Sequence, residues 1–80
     1  MQIEAPLKLP PISEGQLKKG LKVQTRYYYA DSFPGSRATV VRYYAVEGRV
    51  YVKCDYGHNL SGQRFLKTMP LSALALQELP

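Results

Sequence analysis

From Leu21 onward the chain alternates apolar and polar positions with a period of two. Leu21, Val23, Thr25, Tyr27 and Tyr29 fall on one side, and Lys22, Gln24, Arg26 and Tyr28 on the other. This pattern predicts a half-buried strand with a basic, aromatic solvent face. Thr39–Val46 and Arg49–Tyr56 repeat the alternation around Glu47-Gly48, which predicts a hairpin closed by a tight turn. In its second arm Val50, Val52, Cys54 and Tyr56 point to the core, with Tyr51, Lys53 and Asp55 opposite. The first arm admits two registers, and one of them buries Arg42 without a partner, at a steep cost. Thr39, Val41, Tyr43 and Ala45 are therefore expected inside and Arg42 and Tyr44 outside, with room for a bulge near Val40-Val41.

The flanking segments read differently. Residues 1–14 hold Pro6, Pro10 and Pro11 and no period, so residues 1–16 are expected to be an extended or disordered arm, and 17–80 the folded domain. Ser13 with Gln16 three residues on matches a capping box, but Gly20 leaves space for one helical turn at most. Ala30–Arg37 is a turn cluster around Pro34-Gly35, and Gly57–Gly62 a second glycine-rich turn. Gln63–Met69 predicts a fourth strand, Pro70–Leu74 a proline-led helical turn, and Ala75–Leu79 a short closing strand.

The order is then Leu17-Lys18-Lys19-Gly20, a strand, a long loop, a three-strand meander, one proline-led turn and a final strand. It resembles the SH3-like class of small β-barrels over Leu17 to Leu79. The fold class expected is all-β, with about five antiparallel strands and a short helical turn before the last. Within that class the basic, tyrosine-rich strands are most similar to nucleic-acid-binding barrels of the Tudor, KOW and ribosomal-protein kinds. Peptide-binding members carry an acidic loop that is missing from this sequence. Thr68-Met69-Pro70-Leu71-Ser72-Ala73-Leu74 is also similar to the late strand and turn of type II plasmid-encoded dihydrofolate reductases. Lys67 and Met69 stand where those enzymes place the glutamine and tyrosine of their active pore, so that activity does not carry over. A superfold shared by many functions licenses none by itself.

Charge sharpens the reading. The chain of 80 residues carries +5 overall, and the whole excess sits between Lys22 and Lys67, where eight cations face Asp31, Glu47 and Asp55. All seven tyrosines lie in the same stretch, from Tyr27 to Tyr56. Such a balance favours an anionic partner. A domain this small buries only about 60–65% of its unfolded surface, which leaves homo-oligomerisation possible as a further source of burial. The single Cys54 excludes an internal disulfide and suits a reducing compartment. No apolar run approaches signal-peptide or membrane-span length. The expected setting is soluble and cytoplasmic, away from membranes.

Candidate chemistry is sparse. Cys54 and His58 are close in sequence and could make a thiolate pair, yet Cys54 shares the inward face with Val50 and Val52, where a thiol is an inert core filler. The acids are scattered, the glycines form no phosphate-cradling loop, and no four-ligand metal set exists. The expectation is no enzyme, no cofactor and no metal. What remains is binding: Arg26, Tyr28, Arg42, Tyr44, Tyr51 and Lys53 are expected on the outer face of a three-stranded sheet. There they would take nucleic acid by stacking and phosphate contact. The alternative is a protein–protein module, an inhibitor, adaptor or phage or mobile-element accessory protein, using that face on an acidic partner.

Overall fold

The alternation that predicts the central hairpin also builds the sheet. The computed structural model describes Pro6 and residues 8–77. After a 3-10 turn at Glu14–Gln16 come β1 (Lys22–Thr25), β2 (Arg37–Val46), β3 (Arg49–His58) and β4 (Arg64–Pro70). A second 3-10 turn at Leu71–Ala73 leads into β5 (Leu74–Leu76). The five strands form one antiparallel sheet in the order β4-β3-β2-β1-β5, so the molecule is the small all-β domain its sequence predicts.

Glu47 and Gly48 join β2 to β3 with φ of 50° and 77°, the left-handed pair that a two-residue hairpin loop requires. The ladder then runs Val46↔Arg49, Ala45↔Val50, Tyr44↔Tyr51, Tyr43↔Val52 and Arg42↔Lys53 before it slips, and resumes at Val40↔Cys54. Val41 is the extra residue of a β-bulge, at the place the sequence left room for one. Because the side-chain period is two, that single insertion swaps faces along β2. Tyr43 and Ala45 keep the core-side face, opposite Val52 and Val50, but near the hairpin tip both are exposed, which corrects the expected inward burial. Upstream, Ala38 and Val40 are the buried residues, and Thr39 turns outward opposite Asp55. The expected inward placement of Thr39 and Val41 is thereby corrected.

β1 is shorter than its periodicity predicts. Thr25 still bonds across to the end of the β1–β2 loop, its N–H donating to the Ser36 carbonyl at 2.9 Å. Arg26 then donates its N–H to the Ala73 carbonyl at 2.7 Å, and the chain leaves the sheet. Tyr29 and Ser32 form an isolated bridge around Ala30 and Asp31, whose φ values are 49° and 63°. Phe33-Pro34-Gly35-Ser36 closes the loop as a type II turn, with Gly35 at φ 89° and a 3.0 Å bond from the Ser36 N–H to the Phe33 carbonyl.

The core consists chiefly of Val23, Val40, Val52, Cys54, Met69 and Leu74, all sealed from solvent, with Ile12 and Leu17 packed beside them. Ile12 is tied to β5 by its N–H donating to the Leu74 carbonyl at 3.0 Å, so this part of the leading segment contributes to the folded body. The Gln16 side chain reaches back to accept the Ser13 N–H at 2.9 Å, as the capping-box reading expects. β4 pairs with β3 alone. That open edge is why Pro70, which has no N–H to offer, can end the strand opposite Tyr51. The closing strand is three residues long, and Glu78 and Leu79 of the predicted Ala75–Leu79 segment lie outside the described residues. Among the described residues no helix is long and apolar enough to cross a membrane.

Candidate functional site

Residues directly opposite one another in an antiparallel ladder share a face. On the face away from the core, Arg42 therefore sits beside Lys53 and Tyr44 beside Tyr51, in alternate rungs of β2 and β3 with Tyr43↔Val52 between them on the other face. The Tyr44 and Tyr51 rings stack with centroids 6.0 Å apart and planes 29° from parallel. Four of the six sequence-predicted site residues are thus gathered into one patch.

The other two are elsewhere. Once the chain leaves the sheet at Arg26, that side chain turns to the backbone. Its Nε donates to the Leu9 carbonyl at 2.9 Å and its guanidinium also binds the Ser72 carbonyl, so Arg26 stitches the leading segment to the second 3-10 turn. Tyr28 lies in the β1–β2 loop, where its hydroxyl donates to Asp31 at 2.8 Å and its ring meets Phe33 edge-on at 5.3 Å. The expectation that both project from the same sheet face is corrected by this early exit of β1.

Two cations replace them. Lys22 pairs with Thr39 and Gln24 with Arg37, which places Lys22 and Arg37 on the outer side as well. The alternation already put Lys22 there. Arg37 was hidden because it was read as the last residue of the Ala30–Arg37 turn cluster, where no period can be read. Lys22 Nζ donates to the Thr39 hydroxyl at 3.0 Å. A shallow depression of about 410 Å³ lies among Lys22, Arg37, Thr39, Asp55 and Gly57.

The cations fall into two groups. Lys22, Arg26, Arg64 and Lys67 are engaged within the protein. Arg64 forms an ion pair with Asp55, and hydrogen bonds from the Gly57 N–H and then from Arg64 hold the Asp55 carboxyl below its ordinary pKa. Asp55 is consequently matched by Arg64 and subtracts little from the outer field. For Arg37, Arg42, Arg49 and Lys53 no hydrogen bond or ion pair occurs among the described residues. These four cations, with the Tyr44–Tyr51 stack, make a face that can accept anionic groups and flat π-systems without first breaking internal bonds.

The Cys54–His58 pair does not assemble. Cys54 is sealed in the core, and burial pushes its thiol up to about 12, away from the thiolate a nucleophile needs. His58 is exposed at the end of β3. No cluster of three or more metal-ligating side chains occurs among the described residues.

No protein-family model, no curated protein and no solved structure significantly matches this chain.

Proposed function

We propose that this protein is a small basic binding module that contacts nucleic acid through Arg42, Tyr44, Tyr51 and Lys53, flanked by Lys22, Arg37 and Arg49. The observation that carries this reading is a cation rung, Arg42 and Lys53, with no partner among the described residues, next on the same face to an aromatic rung, Tyr44 and Tyr51. Phosphate contact supplies a salt-dependent attraction, and stacking on an exposed ring adds about 1–3 kcal/mol per base, with little dependence on sequence. With four or five cations engaged, affinity should fall as about the third to fourth power of salt. The test is fluorescence anisotropy with single- and double-stranded oligonucleotides at two salt concentrations, on the natural protein and on Arg42→Gln/Lys53→Gln. The natural protein should bind at low salt and the double variant should lose most of that affinity. Absence of binding to either DNA or RNA at low salt would end the proposal.

A second reading, a protein-interaction module for an acidic partner, is favoured by one further observation. At the tip of the β2–β3 hairpin Tyr43 and Val46 are 46% and 47% exposed, on opposite faces, so apolar surface lies beside the tyrosine stack and on the reverse of the hairpin. Tyrosine, arginine and exposed apolar area together are also what protein interfaces use. A stoichiometric protein that co-purifies after nuclease treatment, and is lost on Tyr43→Ser/Val46→Ser, would favour this reading over the first.

A further inference from the structure

Around the Gly57 end of β3 lies a second depression, of about 410 Å³, between β4 and the β1–β2 loop. Arg37 and Tyr56 wall both this depression and the outer one, so the two meet at those side chains. Lys67 stands opposite Cys54 on the core side of β4 and reaches into the second depression. Its ammonium donates to the Ala30 carbonyl at 2.8 Å and to the Ser32 hydroxyl at 3.1 Å, above the Tyr56 ring at 5.7 Å from its centroid. An ammonium has three N–H donors, so one remains after these two bonds. Arg37 offers a guanidinium with no partner among the described residues, and Ser36 adds a hydroxyl to the wall. Phe65, two residues before Lys67 on the same side of β4, is 45% exposed at the rim. The one acidic side chain there, Asp31, already accepts the Tyr28 hydroxyl.

We infer that this pocket is a subsite for a nucleoside phosphate, with a terminal phosphomonoester held by Arg37 and Lys67 and its base laid on Phe65. A monoester carries close to two negative charges and three acceptor oxygens, where an internal diester carries one charge. Two cations with hydroxyl donors suit the former. The volume is in the range of small-molecule clefts. Two sources share this chemistry, the phosphorylated end of a strand and a free mononucleotide. The strand-end source rests on the nucleic-acid reading above, since Arg37 leads directly from the outer face into the pocket.

The experiment compares anisotropy titrations of two labelled single-stranded oligonucleotides that differ only in a 5′-phosphate, alongside NMR shift mapping with adenosine monophosphate. Charge-assisted hydrogen bonds imply roughly tenfold tighter binding of the phosphorylated strand. That preference should vanish in Arg37→Gln and weaken in Phe65→Ala, both solvent-facing changes that leave the core intact. Arg42→Gln/Lys53→Gln should weaken both strands equally and keep the preference. If instead the phosphate makes no difference but adenosine monophosphate shifts the amides around Ser36 and Phe65, the subsite stands with a free nucleotide as its occupant. If neither response occurs, the subsite is overturned, and any remaining salt-sensitive binding lost in the Arg42/Lys53 variant still supports the outer face.

Discussion

Arg26 and Arg42 occupy equivalent-looking places in the alternating pattern and end in opposite circumstances. Arg42 was legible because burying it is too costly for the hairpin to take the other register. Arg26 was not, because its fate depends on Leu9 and Ser72, residues 17 and 46 positions away. Local periodicity carries no information about contacts at that separation. Cys54 was readable from Val50 and Val52 alone, and its burial has a titration consequence. Its folded pKa is raised from an ordinary 9.0 to about 12, so the stability it contributes is complete below pH 9 and is lost as pH climbs through 12. Burial raises the Tyr56 phenol in the same direction, against an opposing hydrogen bond with Thr25 at 2.7 Å. Chemical denaturation from pH 8 to 11 should show stability falling in the natural protein. Cys54→Ala, though less stable at neutral pH, should fall less steeply; equal slopes would mean the thiol ionises without unfolding.

At the scale of elements, the loop between β1 and β2 was the least readable part. Ala30 and Asp31 both take positive φ, where neither glycine nor asparagine announces a turn. Left-handed backbone costs an ordinary L-residue roughly 1–2 kcal/mol, so something must hold it. The bond from Lys67 to the Ala30 carbonyl is the evident clamp. Lys67→Met should accelerate amide exchange at Ser32, whose N–H is bonded to Tyr29 across the turn, while β3 amides keep their protection. Unchanged exchange at Ser32 would show that the bridge holds without the lysine. Asp31→Gly tests the same strain from the other side. A glycine accepts that φ freely, so thermal denaturation should find the variant equal in stability or more stable, despite the lost bond to Tyr28. The hairpin turn, by contrast, was readable at Glu47-Gly48, and the register of Arg42 to Val46 against Arg49 to Lys53 followed from the second arm's alternation and the cost of burying Arg42. The bulge could be placed but its effect on Thr39 could not, because a one-residue slip reverses every side chain beyond it.

For the whole molecule, the charge excess was visible in the sequence, but its division into engaged and free cations was not. That division needs the tertiary partners of Lys22, Arg26, Arg64 and Lys67. It also sets the acid behaviour. Asp55 has a lowered folded pKa, so its contribution is present above the ordinary carboxylate range and is lost as pH drops through the lowered value. Asp55→Asn should flatten the acid limb of the stability profile below pH 4. Because it leaves Arg64 without its counter-charge, the same variant should bind oligonucleotides more tightly at low salt; weaker binding would mean that Asp55 positions the face instead.

The unpaired side of β4 has one last implication. A row of free amides and carbonyls invites another chain to add on, and natural sheets defend against this with charge and proline. Here Arg64 opens the strand and Pro70 closes it, while Lys67 between them is turned to Ala30 and Ser32. A twin docking antiparallel on that rim would meet a missing donor at Pro70. Runaway stacking of copies is thus disfavoured at the strand most available for it.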